Sequence, residues 1–165
     1  MRTTEIMKRS LSALLSLLLV FSLAACSGGE DKASFRMDVQ EVYQQLIALP
    51  DMPAMIELPE DKALDFLGLD MSQCVQAVAA ICAVNIQADE IWLVEAKDSS
   101  AAAEIEELAQ ARVEQRKQEF ETYSPSQYQV LESAAILREG NYVVLLVSQD
   151  TEALKAAFDK AVGME

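Results

Sequence analysis

Six consecutive apolar residues, Tyr142-Val143-Val144-Leu145-Leu146-Val147, constrain this chain more than any other stretch. Side chains alternate between the two faces of a strand. A strand with one wet face therefore alternates apolar and polar residues, and a run with no polar position reads as a strand covered on both sides. This run is the expected centre of a sheet. Tyr128 to Leu137 reads as its hairpin partner, with a turn at Glu139-Gly140. A second hairpin is expected earlier. Ile91-Trp92-Leu93-Val94-Glu95-Ala96 is rich in β-branched and aromatic residues, with Trp92 expected in the core. Ser72 to Gln87 is ambiguous: Ala77, Ala79, Ala80 and Ala83 favour helix, whereas Val75, Val78, Ile81, Val84 and Ile86 suit either state. The strand at Ile91 needs a partner, which tips this segment towards strand, turning near Asn85 to Asp89.

Helices are expected around these hairpins. Asp38 caps a first helix to Ala48, with Glu41 three residues on. Val39, Val42, Tyr43, Leu46 and Ile47 share one face of it. Met55-Ile56-Glu57-Leu58 is a short edge strand, and Pro59 opens a helical turn closed by Gly68. Ser99 to Tyr123 is the longest helix, buried along Ile105, Leu108, Ala109, Val113 and Phe120 and ended by Pro125. Asp150 caps the last helix, whose face is Leu154, Ala157, Phe158, Ala161 and Val162. The order is ββαββα after an N-terminal helix. The implied fold class is α+β: a two-layer sandwich, an antiparallel sheet of two hairpins with helices on one face.

Histidine is absent, which removes His-based triads, general-base histidines and the commonest zinc ligand. There is no P-loop, G-x-G-x-x-G, G-x-S-x-G, C-x-x-C or EF-hand loop. The acidic pairs Glu60/Asp61, Asp89/Glu90 and Glu106/Glu107 are what an acidic chain holds by chance. No catalytic residue, metal ligand or cofactor is assigned, and the chain is not expected to be an enzyme. Cys74 and Cys82 are eight apart, roughly 12 Å on a helix or 26 Å on a strand, beyond the ~7 Å a disulfide spans. They read as two small buried hydrophobes. Tyr123 and Tyr128 flank Pro125, and either form an exposed aromatic patch or staple the helix end to the sheet. Arg112 and Arg116 border the buried stripe, laying their stems over the core edge or else binding an anion. These four residues are the candidate contact patch.

The amino end carries a different signal. Arg2, Lys8 and Arg9 precede an uncharged run from Leu11 to Leu23, which ends in Leu23-Ala24-Ala25-Cys26. A basic start, a short apolar core and a small-residue cleavage site define a secretory signal. The core is shorter than the ~20 residues of a membrane span, although an uncleaved anchor helix is the alternative. The small-small-Cys ending resembles a bacterial lipoprotein signal. That resemblance implies cleavage after Leu23, Ala24 and Ala25 and diacylglyceryl attachment to Cys26, and two acyl chains anchor stably. Residues 1–25 are then the signal, 26–36 a flexible tether and 37–165 a single α+β domain. The first 25 residues hold three of the 13 bases and one of the 27 acids. The remainder therefore carries ten bases against 26 acids, net −16. Such a charge keeps the domain soluble and repels nucleic acid.

From about Met52 onwards the chain resembles a family of small bacterial lipoproteins, known mainly from Gram-positive genomes, whose domain is of unknown function. Met55-Ile56-Glu57-Leu58, Ala88-Asp89-Glu90-Ile91, Tyr123-Ser124-Pro125-Ser126-Gln127-Tyr128 and Gly140-Asn141-Tyr142-Val143 carry the resemblance, in that order. It implies no activity and no site residue. The expected role is a lipid-anchored interaction module on the outer face of the cell membrane, meeting an envelope protein. A small-ligand carrier is the alternative, and the usual two-lobed carriers are about twice this length.

Overall fold

The computed structural model describes residues 35–164. The cleavage and lipidation positions, Leu23, Ala24, Ala25 and Cys26, lie outside the described residues, as do the signal and most of the tether. Phe35, the first described residue, meets Tyr142 edge-on with ring centroids 5.0 Å apart.

The protein has a mixed α/β fold, one five-stranded antiparallel sheet with helices packed against it. In chain order the elements are α1 (Val39–Ile47), β1 (Met55–Glu57), α2 (Glu60–Leu67), a 3-10 turn (Met71–Gln73), β2 (Cys74–Cys82) and β3 (Glu90–Ala96). Then come α3 (Ser99–Phe120), α4 (Pro125–Glu132), β4 (Ala135–Glu139), β5 (Tyr142–Val147) and α5 (Thr151–Ala161). The strand order across the sheet is β1-β2-β3-β5-β4, every neighbouring pair antiparallel. The ambiguous segment is a strand over Cys74–Cys82 and a loop from Ala83 to Gln87, and β1 lies at an edge as its length suggests.

Four expectations need correction. The helices do not lie on one face. Trp92 and Val94 of β3, with Val143, Leu145 and Val147 of β5, pack against α2, α3 and α4. Ile91 and Leu93, with Val144 and Leu146, pack against α1 and α5. Alternation along each strand makes these two opposite faces, so the architecture is helix, sheet, helix. The six-residue run of β5 demands this, because a layer on one side would leave half of it wet. The middle strand is β3 and not β5, although β5 is interior and buried at every position. Tyr128 is not the start of a strand: Pro125 sits at the first position of α4, where its missing N–H and fixed φ suit a helix. Gln127, Val130 and Leu131 face inward along that helix, and strand begins only at Ala135. The order accordingly has a helix between the two hairpins beyond the one expected, and β1 extends the sheet.

Local chemistry sets the element ends. Asp38 accepts from the N–H groups of Gln40 and Glu41, and Asp98 from those of Ser100 and Ala101, bonds that satisfy helix-start donors. Gly68 closes α2 in the left-handed region at φ 72°. Its N–H donates to Leu64 O and that of Leu69 to Ala63 O, as at a glycine-ended helix. Gln76 of β2 ties α1 to the sheet, accepting from Val39 N–H at 3.1 Å and donating to Met37 O at 2.6 Å.

Candidate functional site

The loop from Ala83 to Asp89 enters β3 through two consecutive acids, Asp89 and Glu90, both nearly without solvent exposure. Consecutive strand positions point to opposite faces, so the two carboxyl groups enter different cores.

Glu90 enters the core of α3. Arg112 meets it in a fork, Nε donating to Oε1 at 3.1 Å and Nη2 to Oε2 at 3.1 Å. Trp92 Nε1–H donates to the same Oε1 at 2.8 Å. Such a planar double contact is strong and directional. Two further side chains hold the loop just upstream. Gln127 of α4 accepts from Ala88 N–H at 2.7 Å, and Arg116 of α3 reaches Gln87 O at 3.4 Å. Helices α3 and α4 thus clamp the entry to the middle strand at Gln87, Ala88 and Glu90.

Asp89 enters the other core, on the face of Ile91 and Leu93. It is 2% exposed, and neither carboxyl oxygen has a hydrogen-bond partner. Burial raises its pKa above the ordinary 3.8; its own N–H and that of Gln149 oppose the rise without making a well-formed bond. Continuing the β3–β5 ladder one step past Glu90–Val147 places Asp89 across from Ser148. Ser148, Gln149 and Asp150 are part of the wall of a cleft of about 170 Å³, completed by Leu49–Met52 and by Ala153 and Leu154 at the start of α5.

The four residues of the expected contact patch are not equivalent. Arg112 is consumed by Glu90, with only 13% of its side chain exposed. Arg116 lies 4.6 Å over the Phe120 ring and pairs with Glu119 at 2.6 Å. Tyr123 stacks on Phe120 at 5.1 Å and is exposed, whereas Tyr128 is half-buried against the core. The arginines therefore serve the fold here, and of these four residues only Tyr123 presents an open aromatic surface. The Glu90–Arg112 pair was not anticipated, although both halves were in view as a carboxylate at the head of an apolar strand and an arginine beside a buried stripe.

Cys74 and Cys82 are free thiols. Burial, then the nearby Asp70 charge, push the Cys74 thiol up to about 11. The Cys82 Sγ lies 3.1 Å from Gln87 Oε1. Among the described residues no group of three His, Cys, Asp or Glu side chains could hold a metal ion. No helix among them is long and apolar enough to cross a membrane.

A single antiparallel sheet covered on both faces, with a buried acid pair at the head of its middle strand, defines the class of domain. Residues 50–148 match a family described as a domain of unknown function (DUF4358), and the chain belongs to that family. The matched span runs from just before β1 to just after β5, and so includes Asp89, Glu90, Arg112 and Gln127. No curated protein and no solved structure matches the chain.

Proposed function

We propose that this protein is a lipoprotein anchored through Cys26 to the outer face of the cell membrane, where its domain acts as a non-catalytic interaction module. The observation that carries the reading is Cys26 placed directly after Ala24 and Ala25 at the end of the uncharged run. A diacylated cysteine holds a domain at one surface, which serves binding to a neighbour in the envelope. The net charge of −16 beyond residue 25 disfavours nucleic acid and favours a basic or neutral protein partner. The runner-up, a small-ligand carrier, draws support from the cleft between Leu49–Met52 and Ser148–Asp150. Crosslinking of the anchored protein in intact cells, at low and at physiological salt, tests the module. Charge attraction reaches about 8 Å at physiological strength and farther below it. A basic-faced partner recovered more strongly at low salt supports the module. Recovery of no partner, together with a rise in melting temperature on adding a small metabolite, supports the carrier.

A further inference from the structure

The two edges of the sheet end differently. β1 is three residues long and is followed by Leu58 and then Pro59, which cannot continue a ladder. β4 is five residues without a proline, each at least partly exposed. In an antiparallel sheet the backbone groups of successive residues bond to opposite sides. Ala96 N–H donates to Asn141 O, so Asn141 and, at alternate positions after it, Val143, Leu145 and Val147 bond towards β3. Tyr142, Val144 and Leu146 therefore bond towards β4, where they meet Glu139, Leu137 and Ala135. The N–H and C=O groups of Ile136 and Arg138 are left pointing off the sheet. No hydrogen bond to any of these four groups exists among the described residues.

A row of unpaired donors and acceptors is satisfied by another extended backbone. The surroundings define the side chains of that backbone. A strand residue placed across from Leu137 shares its face of the sheet. That face opens on a groove of about 150 Å³, lined by Leu137, Tyr142, Phe158 and Met164. The bases beside the edge are already neutralised, since Arg138 pairs with Glu106 at 3.1 Å and Lys155 with Asp159 at 2.6 Å. The acids at its two ends, Glu132 and Glu139, are exposed and have no such partner among the described residues. We propose that β4 is a docking edge that takes an extended segment of a partner protein as a sixth strand, apolar in its middle and basic at both ends. A second copy of this chain would bring its own Glu132 and Glu139 to the same edge, on a chain of net charge −16 beyond residue 25. Like charges oppose that pairing. The inference names the part of a partner that the proposed interaction module recognises, and rests on that reading.

Amide hydrogen exchange of the full chain in non-ionic detergent, followed by NMR at Ile136 and Arg138, tests this. The probe is an end-blocked Lys-Val-Leu-Val-Lys peptide. In the antiparallel register centred on Leu137 its leucine lies across from Leu137, and its two valines pair with Ile136 and Arg138. Both amides should exchange freely in the chain alone, and about tenfold more slowly at a peptide concentration about ten times its Kd. A peptide N-methylated at both valines cannot donate to the edge and should protect neither amide. Glu-Val-Leu-Val-Glu should bind several-fold more weakly at low salt. Arg138→Pro removes an outward N–H and no ladder bond; it should abolish the protection of Ile136, which Arg138→Gln should retain. If the proline variant does not fold, the N-methylated peptide decides. Protection of both amides in the chain alone overturns the proposal: it marks a second copy if lost on dilution, and this chain's own amino-terminal residues if not. Equal protection by the lysine peptide and its N-methylated or acidic counterpart, or protection by none of them, overturns it too. Such a result leaves the anchored module to its crosslinking test, and recovery of no partner in that test leaves the peptide result intact.

Discussion

Arg112 and Glu90 form a forked ion pair across the packed interface of α3 and β3, with contacts of 3.1 Å and side chains 13% and 4% exposed. Breaking such a pair from one side strands a buried charge, which costs about 3–5 kcal/mol. Arg112→Ala is therefore expected to lose that much in urea unfolding. Adding Glu90→Gln should return a large part of it, because the glutamine carries no charge and its oxygen still accepts from Trp92 Nε1–H. A double variant as unstable as the sum of the two singles would show that the pair is not coupled.

Val144 of β5 is buried between Leu93 and Leu137 on the face of α1 and α5. Val144→Asp should cost several kcal/mol, by losing apolar burial and leaving a carboxylate unpaired. Total stabilities are only about 5–15 kcal/mol, so this variant should be largely unfolded at physiological temperature by circular dichroism. Melting within a few degrees of wild type would place this face of the sheet in water.

Asp89 gives a pH dependence of defined sign. Its pKa is raised in the fold by burial. The fold thus favours the neutral acid: this contribution is intact below the ordinary pKa of 3.8 and is lost as pH rises through the higher folded value. Asp89→Asn removes the effect. The stability of wild type minus that of Asp89→Asn should fall with rising pH above 3.8, while other carboxylates cancel in the difference. Urea unfolding of both at several pH values between about 3 and 7 measures it. Parallel curves would mean that Asp89 titrates as an ordinary surface acid.

Gly68 ends α2 at φ 72°, and a Cβ there would lie 3.3 Å from Leu108 Cδ1 on α3. Gly68→Ala should cost about 1–2 kcal/mol, chiefly for the left-handed backbone of a non-glycine residue. A thermal melt unchanged from wild type would show that the C-terminal turn of α2 can rearrange freely.

Most elements were legible because their signals are local. Asp38 and Asp150 mark helix starts, Gly68 a helix end, and Ile91 to Ala96 a strand. The mistaken strand at Tyr128 came from reading Pro125 only as a stop, when proline also starts a helix. The second helical layer was implicit in the unbroken run of β5, yet α1 and α5 lie at opposite ends of the described chain. That both pack on Ile91 and Leu93 is a long-range fact that no local window holds. The site was less legible for the same reason. Asp89-Glu90 looks like any acidic pair; its two fates depend on Arg112, 22 residues from Glu90, which pairs it on one face, while the Asp89 oxygens have no hydrogen-bond partner.

The reading as a whole stands on an anchor at Cys26, and intact-mass spectrometry of the protein isolated from its native membrane tests that most directly. The expected result is a chain that begins at Cys26 and carries a diacylglyceryl group on its sulfur, absent from Cys26→Ala. A mature chain that begins at Met1 with an unmodified Cys26 would contradict it.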